Sequence, residues 1–297
     1  MKKLIRQAGC ILIIVLLLPY LITVFLNGNT ITKTDGKSSI YIYVEKNEKK
    51  VRMSLDEYGI GILAKEMDAD YEMEALMAQA VLIRTSICKS IEEEGSDTTL
   101  TKGYWTRSQM RNNWGAGEYG EKYEKIQSAW EKTEGQVLLY NGEVALTPYH
   151  KLSNGKTRSA GEALGSDQYP YLKVKECLAD IDAEDSVTTQ VIQGTDMEVL
   201  GTDSAGYVTE VRCGKETVKG EAFRDTYHLA SACFTLKEFD GKTCVTSKGI
   251  GHGLGMSQYT ANEMAKAGST CQEILNYFFE GTNLQEVAEI VTNPENL

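Results

Sequence analysis

An unbroken apolar run from Ala8 to Leu26, broken in character only by Gly9, Pro19, Tyr20 and Thr23, constrains this chain most. It nearly matches the roughly 20 residues that a membrane-spanning helix needs. Lys2, Lys3 and Arg6 precede it with no acid among them, which orients a span with its N-terminus in the cytoplasm. The residues after it, Asn27-Gly28-Asn29, lack the small-x-small pattern of a cleavage site, so a retained anchor is favoured over a removed signal peptide. Residues 1–7 then read as a cytoplasmic basic end, 8–26 as the anchor, 27–39 as a polar linker and 40–297 as one extracytoplasmic domain. That domain is large enough for a sizeable core.

Net charge is −11, and the basic end makes the remainder more acidic still. Such a surface excludes general nucleic-acid binding, which needs a basic face. Six of the 7 cysteines follow the anchor, none in a C-x-x-C pair. A zinc ribbon is therefore not expected, and most are expected to be buried thiols, with room for one or two disulfides.

Alternation predicts strands at Ile40–Glu45 and Val51–Leu55. Met73, Leu76, Met77, Ala80, Ile83, Ile87 and Ile91 recur at helical spacing, predicting a helix over 71–93 with Asp70 as its N-cap. Residues 96–118 read as irregular and 119–132 as a second helix. Asn141-Gly142 between apolar runs predicts a hairpin. Residues 187–245 read as mostly β, with a short helix near 220–228. Two helices close the chain, the second opening on Thr270-x-x-Glu273, a capping-box pattern. The fold class is α+β, with mixed helices and mostly antiparallel strands.

Three segments carry polar residues that core packing does not require. Ala64–Arg84 contains Glu66 just before the predicted helix, and Gln79 and Arg84 on it. Spacing alone favours a surface helix with scattered polar groups. Thr147–Thr157, TPYHKLSNGKT, leaves a strand with Tyr149, His150 and Ser153. Gly249–Gln258, GIGHGLGMSQ, sets His252 among four glycines. It is not a phosphate loop, since the lysine and its spacing are missing.

Together and in this order, the segments resemble the stage II sporulation protein D (SpoIID/LytB) family. EM-x(7)-ALMAQAVLIRT, GQVLLYNGEVALTPYHKLSNGKT and GHGLGMSQYTANEMAKAG match its signatures over about residues 40–284. Asp68 stands where the family usually has proline, Tyr71-Glu72 where Trp-Pro is frequent, and Asn154-Gly155 where it has Gly-Gly. The resemblance implies a peptidoglycan lytic transglycosylase around a glycan-binding groove. Such an enzyme cleaves the MurNAc–GlcNAc bond of strands already stripped of stem peptides and leaves 1,6-anhydro-MurNAc ends, here during septal remodelling and engulfment. It implies Glu66 as the general acid, with Glu74 as runner-up, and groove-binding roles for Gln79, Arg84, Tyr149, His150, Ser153, His252, Gly253 and Gln258. It implies a septal amidase and a multi-span membrane protein as partners. Some members hold zinc near the central loop through Cys and His; Ser153 argues against a metal here, and no cofactor is expected. The competing reading is a non-enzymatic glycan binder that stimulates an amidase. One difficulty accompanies Glu66: a helix N-terminus favours an ionised carboxylate, whereas a general acid must be protonated.

Overall fold

The computed structural model describes residues 40–286. The apolar run and the anchor assigned to it lie outside them. Among the described residues no helix is long and apolar enough to cross a membrane.

Strands β1 (Tyr41–Lys46) and β2 (Lys49–Ser54) form a hairpin. Helix α1 (Leu55–Glu66) follows at once, capped by the Ser54 hydroxyl, which accepts from the Glu57 amide. The sequence does not announce this helix, because Gly59 and Gly61 depress helix propensity. Their reason is contact. A Cβ on Gly59 would lie 2.1 Å from the Trp130 ring, and one on Gly61 2.7 Å from the Trp105 carbonyl. The glycines let α1 lie against its neighbours.

Helix α2 (Met73–Glu94) is the axis of the core. Ala75, Leu76 and every residue from Ala78 to Thr85 are buried, so the helix is enclosed on all sides and is not a surface helix. Its N-cap is Glu72, whereas Asp70 pairs with Lys122 at 3.0 Å. Strand β3 (Thr99–Leu100) runs parallel to β1. Helix α3 (Arg107–Lys132) starts well before Tyr119 because a Thr106–Gln109 capping box nucleates it; Gly115, at φ 77°, breaks it into two stretches.

The expected hairpin forms between β4 (Gln136–Tyr140) and β5 (Glu143–Val144), with Asn141 and Gly142 both at positive φ. After β6 (Tyr149–His150) come a short helix, α4 (Ala160–Leu164), and a 3-10 turn, Leu178–Asp182.

Next comes the β-rich stretch. Strands β7 (Val187–Gln193), β8 (Met197–Thr202), β9 (Val208–Cys213) and β10 (Glu216–Lys219) lead to α5 (Gly220–Tyr227), then β11 (Phe234–Phe239) and β12 (Lys242–Lys248). They form two antiparallel sheets, β10-β9-β8 and β11-β12-β7, over a core of their own around Val211, Phe223, Phe234 and Val245.

Strand β13 (Met256–Ser257) returns to pair in parallel with β6. Helices α6 (Gln258–Lys266) and α7 (Cys271–Phe278) and strand β14 (Asn283–Glu286), which pairs with β4, complete the described chain. The Thr270–Glu273 capping box is present. The architecture is mixed α+β with mostly antiparallel sheets. All six cysteines among the described residues are free thiols.

Candidate functional site

The parallel β6–β13 pair sets Tyr149 against Met256 and His150 against Ser257. The central and glycine-rich segments, about a hundred residues apart, thus become adjacent strands. The first residue after β13 is Gln258. Its Nε2 donates to the main-chain carbonyl of Glu66 at 3.0 Å and to Gln79 Oε1 at 3.1 Å. That side chain ties the third segment to the first, and the β6–β13 pairing ties the third to the central one.

Glu66 is the last residue of α1, not a residue leading into a helix. The N-terminal dipole that sequence analysis set against a general acid does not act on it. Its side chain is half-buried, close enough for its charge to act on Lys102 and Tyr149. Lys102 Nζ lies 4.3 Å from the centre of the Tyr149 ring. Burial pulls the Lys102 ammonium below the usual lysine range, and Glu66 opposes that shift. Burial also pushes the Tyr149 phenol up, so it is neutral at physiological pH.

The two histidines are neutral as well. Burial lowers His150 to about 3 and His252 to about 4. Their rings are 5.8 Å apart and clamp the Leu254 peptide: its N–H donates to His252 Nδ1 at 3.1 Å, and its carbonyl meets His150 Nδ1 at 3.2 Å. His252 Nε2 thus carries the proton, and a bond to the Tyr149 main chain engages that ring too. The imidazoles brace the glycine-rich loop. Three buried polar atoms here, Gln79 Nε2, Tyr149 Oη and His150 Nε2, have no partner among the described residues.

Other expected site residues lie elsewhere. Arg84 donates to the carbonyls of Trp130 at 2.9 Å and Thr133 at 2.6 Å and stacks on Trp130, closing the end of α3. Its buried guanidinium has no access to a groove. Glu74 accepts from the Cys271 amide at 2.7 Å and so caps α7. Ser153 is fully buried, and its amide donates to Asp180. Gly253 and Gly255 adopt positive φ so that the backbone can approach protein rather than a sugar: a Cβ would meet the Tyr207 hydroxyl at 2.3 Å and the Pro148 carbonyl at 2.0 Å.

Three further residues at the site carry no motif in the sequence. Lys102 follows a two-residue strand without any motif. Asp180, fully buried, accepts from the Ser153 amide at 2.7 Å and from the Ser257 and Thr260 hydroxyls at 2.8 and 2.7 Å, stitching the central loop to the start of α6. Arg158, one residue past the central motif, pairs with buried Asp203 at 2.7 Å and with Glu221 at 2.6 Å, and donates to the His252 carbonyl at 3.3 Å. No group of three or more His, Cys, Asp or Glu that could hold a metal ion occurs among the described residues.

This geometry joins all three segments of the stage II sporulation pattern, and comparison with known proteins agrees. The family model described as "Stage II sporulation protein" matches residues 43–140. The chain is 31% identical to stage II sporulation protein D of Bacillus amyloliquefaciens over 280 residues, covering 86% of this chain and 81% of that one. With stage II sporulation protein D of Bacillus subtilis (strain 168) the identity is 32% over 273 residues, 84% and 79% of the two chains. A more distant similarity, 26% over 293 residues, is to the amidase enhancer of Bacillus subtilis (strain 168), of which 40% is covered. The chain belongs to the stage II sporulation protein D family.

Proposed function

We propose that this chain is a lytic transglycosylase of peptidoglycan, acting on peptide-free glycan strands during sporulation, with Glu66 as its acid and base. What supports this most is the placement of Glu66, half-buried at the end of α1, its backbone held by Gln258 and its carboxyl near Tyr149 and Lys102.

The reaction needs one carboxyl group. Glu66 gives its proton to the glycosidic oxygen as the muramyl C1–O bond breaks. The substrate's acetamido oxygen stabilises the electron-poor C1. The muramyl 6-hydroxyl then attacks C1 and returns its proton to the Glu66 carboxylate, closing the 1,6-anhydro ring without water. An ordinary glycosidase would need a second carboxylate at a defined separation. The neutral histidines and Tyr149 add no charge near the electron-poor centre.

On this reading the domain works outside the membrane at the sporulation septum, tethered by residues 8–26, and follows an amidase that bares the strands, beside a multi-span membrane protein. The resemblance to an amidase enhancer supports a second reading, a glycan binder that stimulates an amidase.

The test is to incubate the full chain and Glu66→Gln with peptide-free strands and identify products by mass spectrometry. Anhydro-muramyl ends from the wild type alone are expected. Ends from both proteins would remove Glu66 from its role. Ends from neither, with glycan still bound, would replace the enzyme by the enhancer.

A further inference from the structure

One turn along α1 from Glu66 lies a cavity of about 130 Å³, lined by Ile62, Ile83, Ile87 and Leu100 together with Lys102, Tyr149 and several hydroxyl side chains. That is room for about four waters, at roughly 30 Å³ each. Its lining is only about half apolar, with the hydroxyl residues Ser86, Ser90 and Thr101 beside the aliphatic ones, and a cation is at its edge. Lys102 forms no ion pair among the described residues; Tyr149 supports its ammonium through the ring face, and the charge of neighbouring Lys65 works against it. Lys65 Nζ itself lies against Gly103, the residue after Lys102. A rim cation without an ion pair, beside a small pocket with one aliphatic wall, suits a ligand with an anionic end and one small apolar group.

We propose that this cavity receives the lactyl substituent of the muramyl ring, its methyl against the isoleucines and its free carboxylate paired with Lys102. The assignment rests on the transglycosylase reading and adds the residue that selects the substrate. A stem peptide converts the lactyl carboxylate into an amide. The charge that Lys102 would pair with is then gone, and the added chain exceeds the space. Stripped strands offer both the charge and the fit.

The experiment uses full-length Glu66→Gln, which binds without turnover. Its Kd is measured for peptide-free strands and for the same strands with every lactyl carboxylate converted to a methylamide. At least tenfold tighter binding of the free carboxylate form is expected, and the preference should shrink with added salt. Adding Lys102→Met should bring the free form down to the methylamide level, whereas Lys102→Arg should keep part of the preference. Equal affinity for the two strands, including no binding of either, overturns the assignment, as does a preference that survives Lys102→Met. Anhydro products from the wild type without this preference would reject the pocket alone. The preference without products would reject the reaction alone.

Discussion

Gln258 donates one hydrogen bond to the backbone of Glu66, across 192 residues of sequence, and another to the buried side chain of Gln79. The catalytic candidate is thus positioned through its main chain by a residue at the start of a distant helix. Gln258→Leu should lower product formation at least tenfold and cost about 1–3 kcal/mol of stability, because Gln79 loses its partner in the interior. Equilibrium denaturation beside the product assay checks both effects.

The two glutamates of the first segment should separate cleanly. Glu74→Ala removes a helix cap and should cost about 1 kcal/mol in denaturation while products still form. Glu66→Gln should abolish products with little change in stability. The reverse pattern would move the acid to Glu74.

Acid should destabilise the fold before most carboxylates titrate. In the unfolded chain histidine has a pKa near 6.5, whereas folded His150 sits at about 3. Below pH 6.5 the unfolded state therefore takes up protons that the folded state refuses, and stability falls as pH drops. Between pH 7 and 5 His150 alone should remove about 2 kcal/mol, read as a lower denaturant midpoint. His150→Asn should flatten this slope. His252→Ala, given the brace on Leu254, should lower melting temperature together with turnover.

Arg158 holds the β-rich stretch to the backbone of His252. Arg158→Met leaves Asp203 buried without its cation and should cost about 3–5 kcal/mol. Arg158→Lys should recover only part of that, since an ammonium cannot reproduce the fork toward Asp203, Glu221 and the carbonyl. Denaturation of both variants measures the difference.

Local patterns in the sequence revealed the elements whose signals are local. Helix α2 showed its period, Asn141-Gly142 its turn and Thr270–Glu273 its cap. Helix α1 stayed hidden because Gly59 and Gly61 serve Trp130 and Trp105, which lie far along the chain. The motifs picked out side chains that the fold does bring together: Glu66, Gln79, Tyr149, His150, His252 and Gln258. What motifs cannot say is where a donor points. Arg84 turns to a helix end, both imidazoles to one peptide, and Ser153 to Asp180. Lys102 and Asp180 act through neighbours distant in sequence, so no spacing announces them.

Val187 and Lys248 face each other at the two ends of the β-rich stretch, and the Gly249 amide donates to the Ser186 carbonyl at 2.8 Å. Just beneath, Leu152 bridges Ile250. The chain leaves and re-enters the site at nearly one point, already stapled shut. Lengthening or redecorating what lies between costs only a slowly growing closure entropy. The stretch is therefore a graftable module on a fixed stem: its far surface can be rebuilt for new neighbours while the stem keeps the β6–β13 pair, and Gln258 behind it, in register.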